Sequence, residues 1–93
     1  MGPSMDYKQL IAEGAQIIDV RSPSEYKGGH IKGSINIPLP ELSAKIGQIK
    51  KDKAVITCCA SGMRSGSAKS MLQDKGYTVY NGGGWASLRQ KLS

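Results

Sequence analysis

The chain has 93 residues, enough for one domain with a single modest core. Its formal charge is +6, from thirteen Lys and Arg against seven Asp and Glu, with only one Trp and four Tyr for stacking on bases. Because the basic residues are scattered and no nucleic-acid-binding motif is present, the charge predicts attraction of small anions and not of nucleic acid. Apolar runs fall well short of the roughly 18 residues that a membrane span needs, so we expect no membrane insertion.

The N-terminus and the cysteines bear on cellular location. Residues 1–4 suggest a cloning remnant or a disordered N-terminus, so we expect the folded domain to occupy residues 5–93. This start lacks the basic and apolar stretches of a signal peptide. The adjacent Cys58 and Cys59 cannot join distant parts of a fold, and free thiols indicate a reducing compartment. We expect a cytoplasmic monomer, or a periplasmic protein if a signal peptide has been removed.

The first half of the chain predicts two helices and two short strands. Apolar residues with helical spacing begin near Tyr7, after a cap at Ser4 or Asp6, and end at Gly14. A buried strand follows, then a helix start with proline, a glycine-rich loop and a second strand that Pro38 halts. These four segments lie at residues 16–20, 21–26, 28–33 and 34–37.

The second half predicts three helices separated by two strands. Pro40 suits the first position of a helix, and apolar spacing predicts that this helix continues to Ile49. The triplet 82–84 is all glycine and predicts a flexible turn before a closing helix, which begins at Trp85. The central strand lies at residues 54–58, the next helix at 67–75 before Gly76, and the last strand at 78–80.

This alternation of strands and helices predicts an α/β domain. We expect a central, mostly parallel sheet of about four to five short strands with helices on both faces. Ligands of such sheets bind beyond the carboxyl ends of the strands. Cys59 follows the central strand and therefore falls at that end.

The loop after the central strand combines a thiol with residues that suit an anion site. Cys59 is followed by small residues and a cation before the next helix begins, in the order Ala60, Ser61, Gly62, Met63, Arg64 and Ser65. Backbone N–H groups of such a loop can point inward at whatever the sulfur carries. The same N–H groups favour thiolate over thiol, which makes a cysteine nucleophilic.

Four motifs along the chain point to a known family. They are IDVR at 18–21 followed by EY at 25–26, GHIKGSINIP at 29–38, CASGMRS at 59–65 and GGGW at 82–85. In this order and spacing they resemble the rhodanese-like domain, a sulfurtransferase module. The resemblance implies that Cys59 takes a sulfane sulfur from thiosulfate or a persulfide and passes it to cyanide or a thiol. It implies no metal and no cofactor, and it allows a protein persulfide as the partner.

The resemblance also suggests roles within the loop. The N–H groups of residues 60–65 would stabilise an anionic persulfide. Arg64 would bind the sulfonate of thiosulfate or close the loop. Ser65 would cap the following helix or donate to the sulfur. Gly62 would adopt a backbone angle that a larger residue resists.

Four further residues have alternative interpretations. Cys58 stands where the family often has an aromatic residue, and it is either a small core residue or a resolving thiol. Since side chains alternate along a strand, we expect it to face away from Cys59. His30 could pair with the thiol, but a structural role is favoured. Asp19 and Arg21 would support the rim near Cys59, either as an ion pair or with Arg21 facing the substrate.

Other functions remain open on sequence alone. A related family of phosphatases and arsenate reductases shares the Cys…Arg loop, but places five residues between the two side chains, where this chain has four. The smaller loop suits a single sulfur atom better than a tetrahedral phosphate. A non-catalytic binding module is another alternative, although such domains have often lost the cysteine. A third is a persulfide relay to a partner protein.

Overall fold

Four short parallel strands form the central sheet of this α/β fold. The computed structural model describes residues 5–93, and the predicted remnant at 1–4 lies outside the described residues. The strands are β1 (Gln16–Asp19), β2 (Ile35–Asn36), β3 (Val55–Cys59) and β4 (Val79–Gly84), arranged in the order β2-β1-β3-β4. Every pairing is parallel, which confirms the predicted sheet and places the carboxyl ends of all strands along one edge.

Helices cover both faces of the sheet, as the sequence predicts. They are α1 (Tyr7–Ala12), α2 (Pro23–Lys27), α3 (Met63–Asp74) and α4 (Trp85–Leu92). One core cluster packs α3 against the sheet through Ala68 and Leu72, and the other packs α4 against the opposite face through Leu88. Strand β3 is buried along its whole length, because it lies between β1 and β4 with helices on either side.

The two short N-terminal helices begin at polar caps. The Asp6 side chain accepts a hydrogen bond from the Gln9 N–H and starts α1, which selects Asp6 over Ser4 as the cap. Ser22 and Glu25 form a complete capping box at the start of α2, with Pro23 at the first helical position. This box fixes the orientation of Glu25, which is important for the site described below.

The predicted helix over residues 40–49 is wrong. Two 3₁₀ turns, Leu39–Glu41 and Ile46–Gln48, occupy this segment. Gly47 is a poor helix former, and the Tyr77 hydroxyl lies within hydrogen-bond distance of the carbonyls of Ile46 (3.2 Å) and Ile49 (3.1 Å). The hydroxyl can donate to either carbonyl, and that of Ile46 also accepts the Ile49 N–H of the 3₁₀ turn at 3.0 Å. Leu42 and Ile49 remain buried.

The prediction of a flexible turn at residues 82–84 is also wrong, because the three glycines form the second half of β4. A β-bulge shifts the register here, so that Thr57 pairs with Asn81 and Cys59 with Gly84. A side chain at Gly82 would put its Cβ 2.8 Å from the Thr57 carbonyl, and one at Gly84 would put it 2.9 Å from the Ala60 carbonyl. Close approach to β3 and the following loop explains the glycines.

Candidate active site

The loop from Cys59 to Ser65 wraps around a buried sulfur atom at the carboxyl end of β3. The N–H of Gly62 donates to Cys59 Sγ at 3.0 Å, and the N–H of Ser65 approaches it at 3.4 Å. Gly62 caps α3 with φ of 106°, the positive angle that the sequence predicts for it. Helix α3 therefore begins at Met63 and not at Ser67, and the N–H of Ser65 in its first turn approaches the sulfur.

These hydrogen bonds make the Cys59 thiol more acidic. Burial of the Cys59 side chain raises its pKa, but hydrogen bonds from the Ser65 backbone and hydroxyl, and from the backbone of Gly62 and Ser61, outweigh burial. The pKa of Cys59 therefore lies below its ordinary value. Donors arranged around a sulfur in this way favour a thiolate and can also stabilise an anionic group attached to it.

The neighbouring thiol has the opposite environment. Cys58 packs with Ile56 and Leu88 on the α4 face of the sheet, whereas Cys59 belongs to the cluster on the α3 face. Burial and the nearby Asp19 carboxylate raise the pKa of Cys58 to about 12. The predicted opposite orientation of the two thiols is confirmed. Cys58 is a buried residue of the core near the end of β3.

Ser65 connects the loop to β4 through its hydroxyl. Its Oγ lies 2.6 Å from Asn81 Oδ1 and 3.0 Å from the Gly62 carbonyl. Ser65 is the third residue of α3, and the cap of that helix is Gly62, which has no side chain to act as a cap. Sequence reasoning did not identify Asn81, because a polar residue before three glycines indicates only a turn.

Arg64 forms a two-pronged ion pair with Glu25 across the site. Its Nη1 and Nη2 donate to Glu25 Oε1 (2.7 Å) and Oε2 (2.9 Å). The Arg64 guanidinium and the Ser22 backbone hold the pKa of Glu25 at about 2, well below its ordinary range. The pair joins α2 to the start of α3. The capping box at Ser22 is a sequence signal for the position of Glu25 at the start of α2, but it does not predict that Glu25 pairs with Arg64.

Asp19 and Arg21 form the ion pair that the sequence favours, with Nη2 of Arg21 2.8 Å from Asp19 Oδ2. Both side chains are almost fully buried. They lie on the face of Cys58, where the Arg21 guanidinium stacks 4.7 Å from the centre of the Trp85 ring. Support of the rim near Cys59 by this pair stays a prediction.

Arg21 nevertheless reaches the site through α2. Its Nη1 donates to the Glu25 carbonyl at 3.3 Å and its Nη2 to the Gly29 carbonyl at 2.7 Å. These bonds tie Arg21 to the middle of α2, at the residue that pairs with Arg64, and to the loop just after the helix. Arg21 therefore contacts Asp19 and the segment that carries Glu25.

The outer side chains of the loop face solvent. Ala60 and Ser61 are exposed, and the Met63 side chain is 82% exposed. His30 lies apart from the loop interactions described above: its Nδ1 is 2.8 Å from the Tyr26 carbonyl, and its ring stacks on Tyr26 at 3.8 Å. This arrangement agrees with a structural role for His30.

Neither a metal cluster nor a membrane-spanning helix is found within residues 5–93. No group of three or more His, Cys, Asp or Glu side chains in that range could hold a metal ion. The helices of the same range are all too short and too polar to cross a bilayer.

Comparison with known proteins gives a consistent result. The model of the rhodanese-like domain matches residues 5–91. Over 70 residues the chain is 46% identical to the thiosulfate sulfurtransferase PspE of Escherichia coli, a match that covers 72% of this chain and 67% of PspE. Over 68 residues it is 47% identical to the uncharacterized protein YqhL of Bacillus subtilis, covering 72% of this chain. The match spans only about half of YqhL, at 54% of its length.

A solved structure agrees with these sequence matches. The rhodanese with anions from Escherichia coli superposes with a TM-score of 0.69 at 38% identity, and the match covers 80% of this chain and 91% of the other. The similarity therefore includes nearly all of that domain.

Proposed function

Because the chain belongs to the rhodanese-like domain family, we propose that it is a sulfurtransferase in which Cys59 carries the transferred sulfur as a persulfide. One observation supports this assignment above the others. The Cys59 sulfur, although buried, accepts hydrogen bonds from the N–H groups of Gly62 and Ser65 and has a lowered pKa. Such a sulfur is poised as a nucleophile and surrounded by donors for a second anionic sulfur.

In the first step, the Cys59 thiolate attacks the outer sulfur of a donor. With thiosulfate, a new S–S bond forms to Cys59 while the S–S bond of thiosulfate breaks, and sulfite leaves with the electron pair. The enzyme is left as an anionic persulfide on Cys59. The amide N–H groups of the loop stabilise this charge without side-chain ionisation.

In the second step, an acceptor attacks the outer sulfur of the persulfide. Cyanide gives thiocyanate, and a thiolate gives a new persulfide; in both cases the Cys59 thiolate leaves with the electron pair of the broken bond. A lowered thiol pKa assists this step, because a less basic thiolate is a better leaving group. The cycle needs no metal or redox cofactor.

Arg64 closes the loop in this proposal and does not bind the donor's sulfonate as its main role. Both of its terminal nitrogens already donate to Glu25, and this pairing fixes the start of α3, where the N–H groups that reach the sulfur lie.

The size of the loop supports sulfur over phosphate as the group that it holds. Four residues separate Cys59 from Arg64, and the N–H groups of Gly62 and Ser65 converge on a single sulfur atom.

Thiosulfate is the donor we propose for assay, since PspE carries that substrate in its name. The test compares turnover of thiosulfate with cyanide against turnover of an aryl phosphate, for the wild type and for Cys59→Ser. We expect thiocyanate from the wild type only, and no phosphate release from either. Phosphate release that depends on Cys59, without thiocyanate formation, would replace this proposal with a phosphatase.

A further inference from the structure

The Ser65 hydroxyl has more acceptors within reach than it has protons. Its Oγ lies 2.6 Å from Asn81 Oδ1 and 3.0 Å from the Gly62 carbonyl. The N–H of the same residue lies 3.4 Å from the Cys59 sulfur, and the hydroxyl contributes to the lowered pKa of that thiol. A hydroxyl donates a single proton, so these three acceptors compete for it.

The orientation of the Asn81 amide determines which acceptor has the advantage. The Gly83 N–H donates to the Asn81 side chain at 2.9 Å, and a backbone N–H can only donate, so the atom it meets must be the carbonyl oxygen. Ser65 must therefore be the donor in its 2.6 Å contact with the same oxygen. The Gly62 carbonyl already accepts the Gly66 N–H at 3.0 Å.

We propose that Asn81 is a positioning residue that competes with the Cys59 sulfur for the proton of the Ser65 hydroxyl. While Cys59 is a neutral thiol, the proton remains on the short bond to Asn81, and the hydroxyl lone pairs can accept the S–H. When Cys59 becomes a thiolate or a persulfide, the hydroxyl turns its proton to the sulfur and gives up its bond to Asn81. Each ionisation of the sulfur therefore costs one hydrogen bond elsewhere.

This competition has a chemical consequence, which rests on the proposed role of Cys59 as the nucleophile. The amides of Gly62 and Ser65 already stabilise the thiolate, and a more strongly stabilised thiolate is a weaker nucleophile. Asn81 opposes that stabilisation and keeps the thiolate basic enough to attack a donor. Asn81 touches neither the sulfur nor, in this scheme, the substrate, and it acts only through Ser65.

The test is a titration of the thiolate by its ultraviolet absorbance, with Cys59→Ser as the blank. Burial holds the pKa of Cys58 at about 12, so that thiol does not contribute near neutral pH. For Asn81→Ala we expect a thiolate fraction roughly two- to tenfold larger at pH values below the midpoint, the effect of one ordinary hydrogen bond. In the background of Ser65→Ala, the same substitution should have no effect.

Two further variants separate positioning from folding. Asn81→Asp keeps an acceptor for Gly83 and holds the hydroxyl proton more strongly, so we expect a smaller thiolate fraction than in the wild type. This decrease should shrink in the background of Ser65→Ala. Tyr7→Phe removes the 3.2 Å bond from the Tyr7 hydroxyl to the Asn81 backbone carbonyl and should leave the titration unchanged. If circular dichroism shows that Asn81→Ala does not fold, the proposal is decided by Asn81→Asp with and without Ser65→Ala.

The proposal is overturned if Asn81→Ala leaves the thiolate fraction unchanged or lowers it, or if its effect persists in full without the Ser65 hydroxyl. The titration needs no sulfur donor or acceptor. Failure of Cys59 to take up sulfur would therefore refute the proposed function, whereas the titration curves would still decide the role of Asn81.

Discussion

At the level of single residues, two adjacent thiols differ because the strand turns them to opposite faces of the sheet. Cys58 lies among apolar side chains with a carboxylate nearby, and its pKa is raised to about 12. Cys59 is also buried, but N–H groups at the start of α3 reach its sulfur and lower its pKa. Burial alone makes a thiol inert, and hydrogen-bond donors reverse that effect.

This difference predicts selective alkylation of the native protein. At pH 8, iodoacetamide should modify Cys59 and leave Cys58 unmodified, with the site assigned by fragmentation of the peptide that contains both. In denaturant both thiols should react, which serves as the control. Equal modification of the two thiols in the native protein would show that the strand end opens, and would restore Cys58 as a candidate resolving thiol.

The individual residues also show what sequence can and cannot predict. The proposed nucleophile Cys59, the glycine with a positive φ and the Asp19–Arg21 pair are all recognisable, because each depends on neighbours close in the chain. The contacts of Glu25 with Arg64 and of Ser65 with Asn81 join residues separated by 39 and 16 positions. No local pattern encodes such pairs, since they depend on how α2, α3 and β4 converge.

At the level of secondary-structure elements, the Glu25–Arg64 ion pair holds α2 against the start of α3. Arg64 lies in the first turn of α3, where a cation is disfavoured by the helix dipole, and the Glu25 carboxylate offsets that effect. The pKa of Glu25 is about 2 in the fold against an ordinary value of 4.5. The folded protein therefore binds a proton at Glu25 less readily than the unfolded chain does.

The sign of this difference predicts how stability depends on acid. The contribution of Glu25 is complete above a pH of about 4.5 and is lost as the pH falls toward about 2. We expect Glu25→Gln to flatten the decline of unfolding free energy over that interval, measured by urea denaturation at a series of pH values. Glu41→Gln, which removes the ion pair with Lys45 four residues away, is the matched control. An equal flattening by both variants would contradict the account.

The sequence predicts a turn at the glycines of β4 because glycine is found both in flexible turns and where two backbone segments approach closely. The presence of glycine alone does not distinguish these two uses. Gly82 serves close approach, because an added Cβ would lie within 2.9 Å of Ile56 Cγ2 and of Leu88 Cδ2.

The wrong helix prediction at residues 40–49 has a different cause. Apolar spacing there matches a helix, but Gly47 disfavours one, and the carbonyls of Ile46 and Ile49 lie within hydrogen-bond distance of the Tyr77 hydroxyl.

Substitution of single glycines tests this interpretation. Gly82→Ala should lower the free energy of unfolding by about 1–3 kcal/mol, because the new methyl group overlaps β3 and α4. Gly47→Ala is the control, since nothing lies within 4 Å of a Cβ at that position, and its effect should be small. Urea denaturation measures both. If Gly82→Ala costs no more than Gly47→Ala, close packing does not explain the triplet.

At the level of the whole molecule, a buried site lies within a protein of net charge +6. The charges nearest the loop are paired, Arg64 with Glu25 and Arg21 with Asp19. If the donor is an anion, as proposed, we expect its attraction to come from the general field of the protein more than from one cation in the site. The fold class and the position of the site at the strand ends follow from the alternation of elements, which is a property of the whole chain.

This view predicts a salt dependence for thiosulfate. Raising the ionic strength from low values to about 0.15 M, where charges are screened beyond about 8 Å, should lower kcat/KM for the doubly negative donor roughly two- to tenfold. The kcat at saturating thiosulfate should change little, because it does not depend on the rate at which thiosulfate and the protein associate. Loss of kcat with an unchanged kcat/KM would indicate that salt acts within the loop.

The central claim is that Cys59 carries the sulfur, and the mass of the protein after incubation with thiosulfate tests it most directly. We expect one added sulfur, about 32 Da, located on the peptide of Cys59 and removed by cyanide or by a reductant. Cys58→Ala should retain the addition and Cys59→Ser should lose it. An addition that survives Cys59→Ser, or that disappears with Cys58→Ala in a folded protein, would contradict the account.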